Sequence, residues 1–265
     1  MPYINYRNKQ IFFTDTGSGN TLVLLHGFTE SSSIWTRLAR ILARQYRVIA
    51  IDLPGHGKSE CLGPVHTMEG MAGMVYSLLN RLKAGKCLMI GHSMGGYVTQ
   101  AFAGKYPDKL SGFCLFHSHC FPDTETDRRN RERTIGIVKE DKFGFVAQFI
   151  PGLFPEEVRG KFAAPIDRMV REAAGAGKEG IIAALEGMKV RYDQSDVLRT
   201  TKLPILFILG LKDSRAPVDR FWEMISLPAR AEVLILRECG HMGFIEAPEA
   251  TTKAITAFAG KVFGK

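Results

Sequence analysis

The sequence predicts an α/β fold: a mostly parallel sheet with helices on both faces and a helical insertion. Three observations carry this. Short, continuously apolar runs alternate with longer stretches at helical spacing, the pattern of strands buried on both faces and joined by crossover helices. The 265 residues, 45% hydrophobic and 23% charged, suit one large domain with an insertion and exclude disorder, collagen and a long coiled coil. Residues 119–197 break the alternation and carry helical patterns alone.

In chain order, Tyr3–Tyr6 and residues 10–15, joined by Arg7-Asn8-Lys9, read as an antiparallel hairpin at the sheet margin. Thr21–Leu25 is the first parallel strand and residues 34–43 a helix. Arg47–Ile51 is the second strand. A turn-rich segment, residues 52–59, leads to a helix over 68–82. Residues 87–90 form the third strand, a helix begins at about Met94, and Leu110–Phe116 is the fourth strand. Residues 205–209 and 232–236 are two more, with a helix over 218–225 between them and a last helix over 248–262. Right-handed crossovers place the strand C-termini along one edge, where such sheets bind ligands. Phe143, Val146, Phe149 and Ile150, then Ile166, Met169 and Val170, give residues 119–197 their helical spacing. The segment reads as a helical cap inserted after the fourth parallel strand, leaving 1–118 and 198–265 as the core.

The 35 basic and 27 acidic residues leave a net charge of +8. It is spread along the chain, with one concentration at Arg128, Arg129, Arg131 and Arg133, which argues for solubility rather than a nucleic-acid site. With Glu125, Asp127 and Glu132 beside them, these arginines read as a solvated helix face. The alternative is a grip on a carboxylate or on a thioester's phosphates. Five cysteines form no CxxC pair, and Cys87 and Cys114 sit inside apolar runs, as thiols in a reducing compartment do. The N-terminus has no hydrophobic signal core, and the strongest apolar stretch, 203–211, falls far short of the roughly 20 residues that span a bilayer. A soluble cytoplasmic protein with no membrane partner is expected; the oligomeric state is left open.

Gly91-His92-Ser93-Met94-Gly95 follows the third strand and opens a helix. This G-x-S-x-G in a strand–turn–helix setting predicts a nucleophile elbow. Ser93 would sit on a sharp, strained turn that side chains at 91 and 95 would obstruct. A serine hydroxyl needs a base. His241, in Cys239-Gly-His-Met-Gly243 after the last strand, is best placed. His92 should point away from the elbow, His26 and His56 lie in other edge loops, and His66, His117 and His119 have no fixed geometric claim. The base needs an acid to hold its tautomer. Asp213, just past the strand 205–209, is favoured over Asp219, which more simply starts a helix. The loop after the fourth strand offers no acid, only His117-Ser118-His119. Oxyanion donors are expected from the Met94 N–H and the Phe28 N–H, with Gly27 letting that loop approach the substrate.

Together His26-Gly27-Phe28, Asp52-Leu-Pro-Gly-His-Gly-Lys-Ser59, Gly91-His-Ser-Met-Gly95, Gly210-Leu-Lys-Asp213 and Gly240-His241 resemble the α/β-hydrolase superfamily, specifically its small capped carboxylesterase, enol-lactonase and C–C hydrolase branch. The resemblance implies a Ser93–His241–Asp213 triad, an acyl-enzyme intermediate and no cofactor. It makes residues 52–59 a structural loop near the site, with His56 not catalytic. His117-x-His119-Cys120 is not read as a metal site, since two histidines do not make one. The cap phenylalanines Phe143, Phe145, Phe149, Phe154 and Phe162 read as cap core, with one or two lining an apolar pocket, and Trp35 reads as packing. The expected function is hydrolysis of a small-molecule carboxylic ester. C–C bond hydrolysis, lyase or perhydrolase chemistry on the same triad, and a slow-turnover small-molecule receptor, remain alternatives.

Overall fold

The apolar runs assemble into one eight-stranded sheet in the computed structural model, which describes residues 2–216 and 218–264. The strands are β1 (Tyr3–Tyr6), β2 (Lys9–Thr16), β3 (Thr21–Leu25), β4 (Arg47–Ile51), β5 (Cys87–His92), β6 (Leu110–Phe116), β7 (Ile205–Gly210) and β8 (Ala231–Leu236). Their order is β1-β2-β4-β3-β5-β6-β7-β8, antiparallel at β1–β2 and β2–β4 and parallel elsewhere. The hairpin turn is Arg7-Asn8 alone, both at positive φ, so Lys9 joins β2 and pairs with Tyr6.

Alternation along each strand divides the core. Leu22, Leu24, Leu88 and Ile90 face one side, where they meet Trp35, Leu38, Ile255 and Phe258 from α1 (Thr36–Leu42), its leading turn, and the last helix, Pro248–Phe263. Val23, Leu25 and Met89 face the other side, against Met71, Met74 and Leu78 of α2 (Met68–Arg81) and Val98 and Phe102 of α3 (Met94–Lys105). Each such burial contributes about 1.5–3 kcal/mol.

Two boundaries that moved lie at the site edge. The predicted helix 34–43 opens as a 3₁₀ turn, Ser32–Trp35, because the Ser31 hydroxyl accepts from the Ser33 N–H. β5 runs two residues past its prediction, to His92, and α3 starts immediately after Ser93. Between β6 and β7 the described residues hold no strand. They form α4 (Glu125–Glu140), α5 (Lys142–Phe149), α6 (Ala163–Gly175), α7 (Lys178–Lys189) and α8 (Ser195–Thr200). Thr124 and Asp127 close the start of α4 as a reciprocal capping box. After β7 come α9 (Val218–Ile225), α10 (Gly243–Glu246) and α11, the helix Pro248–Phe263. Among the described residues no helix is long and apolar enough to cross a membrane.

Candidate active site

The six parallel strands end on one edge, and the loops leaving it carry the candidate residues. Ser93 sits between β5 and α3 at φ 51°, ψ −117°, a conformation an L-residue adopts only under constraint. Its N–H donates to Phe116 O (2.9 Å) and its carbonyl accepts from Gly96 N (2.8 Å). A side chain at Gly91 would overlap the Gly95 backbone, and one at Gly95 would lie 2.5 Å from Leu25 O and 2.7 Å from His26 O. The elbow is therefore wedged between the ends of β3 and β6. Thr29 and His117, on neighbouring loops, are also at positive φ, so the backbone strain gathers at this edge.

Asp213 and His241 meet: His241 Nδ1 lies 2.8 Å from Asp213 Oδ2. A third group shares that oxygen. His117 Nδ1 stands 3.1 Å from it, and His117 Nε2 accepts from the Gly243 N–H at 3.2 Å. The proton must then be on His117 Nδ1, which donates to Asp213. The other carboxylate oxygen accepts from the backbone N–H groups of Arg215 (2.8 Å) and Ala216 (3.2 Å). Burial opposes charge on Asp213, but His241 and the hydrogen bonds from both rings outweigh it and hold the carboxyl well below the usual range. Burial also keeps His117 neutral, at about 4, against the pull of Asp213. His117, Asp213 and His241 have their ligand-type atoms within 4.8 Å of one another, and the two ring contacts to Asp213 Oδ2 join them. Asp219, the rival acid, has its side chain outside the described residues.

His92 does turn away from the elbow, into a buried network. Its Nδ1 meets Glu30 Oε2 at 2.9 Å and its Nε2 donates to His241 O at 2.9 Å. Glu30 Oε2 also accepts from the Gly27 N–H at 2.6 Å. Burial disfavours the His92 cation, but Glu30 overcomes this and raises its pKa. Burial likewise raises Glu30, and the charge and hydrogen bond of His92 reverse the sign. A buried ion pair thus joins the loop after β3, the elbow and the backbone of His241. A Cβ at Gly27 would stand 2.8 Å from both Glu30 Oε2 and His92 Nδ1, so the missing side chain makes room for this pair. The N–H groups of Phe28 and Met94 donate no hydrogen bond among the described residues. Glu246 accepts from Gly240 N and Met242 N, both at 2.9 Å, and frames His241.

Ser93 and His241 line one cavity of about 370 Å³, with Phe28, Phe145, Phe149, Leu153, Leu185 and Met188 supplying its apolar wall. Neither Ser93 Oγ nor His241 Nε2 is hydrogen-bonded among the described residues, so the structure brings the two to one cavity without joining them. Phe145 and Phe149 are thus the pocket-lining phenylalanines; Phe143 is exposed and Phe154 buried in the core. The segment 52–59 is knitted by hydrogen bonds. Asp52 accepts from Ser32 N and Lys58 N, His26 Nε2 accepts from Leu53 N, and His56, held neutral by burial at about 3, contacts Pro54 O. Of the four arginines on α4, Arg128, Arg129 and Arg133 are exposed as expected. Arg131 is not: it shares a helix face with Ile135 and Val138, turns inward and pairs with Asp123, which also takes Arg191. Glu30, His117 and Glu246 were missed in the sequence. Each lies within six residues of a strand end or of His241, and that shared edge was the available signal.

The profile of the α/β hydrolase fold family matches residues 20–248. The chain belongs to the α/β-hydrolase family. This α/β-hydrolase is similar to a thermophilic esterase from Thermogutta terrifontis whose structure has malate bound. They share 33% identity and a TM-score of 0.92, over 98% of this chain and 97% of that one. It is 28% identical to the pimeloyl-[acyl-carrier protein] methyl ester esterase of Aeromonas hydrophila, covering 92% of this chain and 97% of the relative. It is 31% identical to the dihydrolipoyllysine-residue acetyltransferase component of the acetoin cleaving system of Pseudomonas putida, where it covers 92% of its own length but only 65% of that protein. The α/β-hydrolase described here is a hydrolytic enzyme.

Proposed function

We propose that this hydrolase cleaves carboxylic esters of small molecules through a covalent acyl-enzyme on Ser93. The observation that carries the reading is the 2.8 Å contact of His241 Nδ1 with a buried, anionic Asp213, on the wall of the cavity that Ser93 enters at positive φ. The named esterase relatives support the ester bond as the target. Asp213 holds the proton on His241 Nδ1 and leaves Nε2 as the base. As Ser93 Oγ attacks the carbonyl carbon, its proton passes to Nε2. The oxyanion is received by the unoccupied N–H groups of Phe28 and Met94, each such donor contributing about 3–4 kcal/mol in related chemistry. Collapse expels the alcohol, which takes the proton from His241. Water, deprotonated by the same ring, then releases the acid and frees Ser93. The helices between β6 and β7 act as a cap, bringing Phe145 and Phe149 over the acyl chain and excluding solvent. The five free thiols favour a reducing, cytoplasmic setting.

Ser93→Ala or His241→Ala is expected to lower kcat by several orders of magnitude while leaving the circular dichroism spectrum intact. A fluorophosphonate probe should label Ser93 in the wild type. Near-normal turnover by purified Ser93→Ala refutes the assignment. A screen of p-nitrophenyl esters against dienoate C–C substrates separates ester hydrolysis from C–C cleavage, and a burst without further turnover would indicate a receptor.

A further inference from the structure

Among the described residues, the charges lining the cavity are matched except one. Glu30 is neutralised by His92, and Asp127 is spent on the Thr124 cap. Arg131 has every nitrogen engaged, Nε and Nη2 on Asp123 and Nη1 on Met188 Sδ. Asp213 takes two ring N–H groups and two backbone N–H groups, so neither of its oxygens is free for another donor. Arg215 is the exception. It lines the cavity with Ser93 and His241, and among the described residues its guanidinium has no carboxylate and no hydrogen-bond acceptor. Among the described residues its marked contact is aromatic: the guanidinium carbon lies 4.7 Å from the centre of the Phe149 ring. Phe149 in turn meets Phe28 edge-on at 5.5 Å, beside the backbone N–H assigned to the oxyanion.

Resting on the ester-hydrolase reading above, we propose that the substrate carries a second, anionic group, a carboxylate as in the monoester of a dicarboxylic acid, and that Arg215 binds it. Three features argue for this class. The guanidinium presents a planar fork of donors, which suits a carboxylate bidentately. Its guanidinium lies over the Phe149 ring while the residue as a whole is exposed, so an anion entering the cavity can reach it. The guanidinium is a cation throughout, with partial desolvation lowering its pKa and the charge of Asp213 opposing that. Apolar side chains, Phe145, Phe149 and Leu153, share the cavity with Ser93 and Arg215 and suit a methylene spacer between the ester and the acid. The position of Arg215 two residues beyond Asp213 also ties it to the site, since its backbone N–H holds the catalytic carboxylate while its side chain faces the cavity.

The test compares monomethyl with dimethyl esters of succinate, glutarate, adipate and suberate, on the wild type, Arg215→Gln and Arg215→Lys. Each pair differs in charge but not in chain length. At the best spacer the wild type should favour the monoester by tenfold or more in kcat/KM. Arg215→Gln should cut that ratio at least tenfold, mainly through the KM of the monoester, and Arg215→Lys should fall between. A wild-type preference for the diester at every length overturns the proposal. So does a ratio unmoved in Arg215→Gln, which would make the arginine a mere prop for Phe149. If no ester is hydrolysed and the fluorophosphonate leaves Ser93 unlabelled, it is the hydrolase reading that fails. Calorimetry with free adipate and glutarate then still decides the anion site. Binding weakened by Arg215→Gln upholds it, and binding absent or unchanged overturns it.

Discussion

Glu30 and His92 show how much a single buried pair can organise. Both side chains are almost wholly out of water, at 1% and 0% exposure, and between them they hold Gly27, the elbow and the carbonyl of His241. Removing one partner leaves the other charge uncompensated. Glu30→Gln is therefore expected to cost about 3–5 kcal/mol of folding stability, read from urea unfolding. The variant should also lose activity out of proportion to the fraction unfolded, because the loop bearing Phe28 is no longer tied to the elbow. His117 is a positioning residue of a different kind. It touches no reacting atom but supplies the second N–H to Asp213. His117→Phe keeps the ring and removes both nitrogens. It should lower kcat more than it raises KM, while His117→Asn, which retains a donor, should recover part of the loss. Equal kcat in the Phe variant would show that Asp213 needs no second ring.

The elbow between β5 and α3 is where element geometry and chemistry are the same problem. The motif Gly91-His92-Ser93-Met94-Gly95 was legible because its glycines answer to a clash that any such turn would meet. The structure supplies the partners: the Leu25 and His26 carbonyls beside Gly95. These are backbone atoms and cannot swing aside. Gly95→Ala should therefore force α3 away from β3 and lower Tm by several degrees or more, with kcat falling as Ser93 is displaced. A thermally normal, fully active Gly95→Ala would mean that the turn is looser than its contacts imply. On α4 the legibility was partial. The charged stretch Arg128 to Arg133 announced an exposed helix, and three of its arginines are exposed. Arg131 departs because the helix period puts it above Ile135 and Val138, and a buried acid, Asp123, waits there.

Over the whole molecule, the histidines set the response to acid. Five of the seven, His26, His56, His66, His117 and His119, are pushed below their ordinary value of 6.5 by burial. For His66 and His117 the folded value is about 4, and for His56 and His119 about 3. Between pH 6.5 and 4 the unfolded chain binds protons that the folded chain refuses, so stability rises with pH across this window and falls on acidification. Each such histidine contributes up to roughly 1.4 kcal/mol per pH unit there. His92, whose pKa is raised, has the opposite sign: its contribution is present below 6.5 and is lost as pH climbs through its folded value. The four histidines whose folded values lie near 3 to 4 already outnumber it. Urea unfolding at pH 7, 6, 5 and 4 should show stability dropping steadily before the carboxylates with low folded pKa begin to titrate. A flat profile down to pH 4.5 would contradict the buried neutral histidines.

Periodicity and motif order were enough to reveal the sheet, its strand C-terminal edge and the residues Ser93, Asp213 and His241 on it. Strands announce themselves through alternation and apolar runs, and a strained turn through its glycines; both are local demands, satisfied within a few neighbouring residues. The partnerships are not local. Glu30 meets His92 across 62 residues, His117 meets Asp213 across 96, and His92 meets the His241 carbonyl across 149. Which of these groups touch depends on the strand order and on how tightly the loops close over the sheet edge. That is why two buried acids, a second histidine on Asp213 and the inward turn of Arg131 came to light only in three dimensions: a buried charge or hydrogen-bonding group must find a partner, and chain folding chooses which one is near enough.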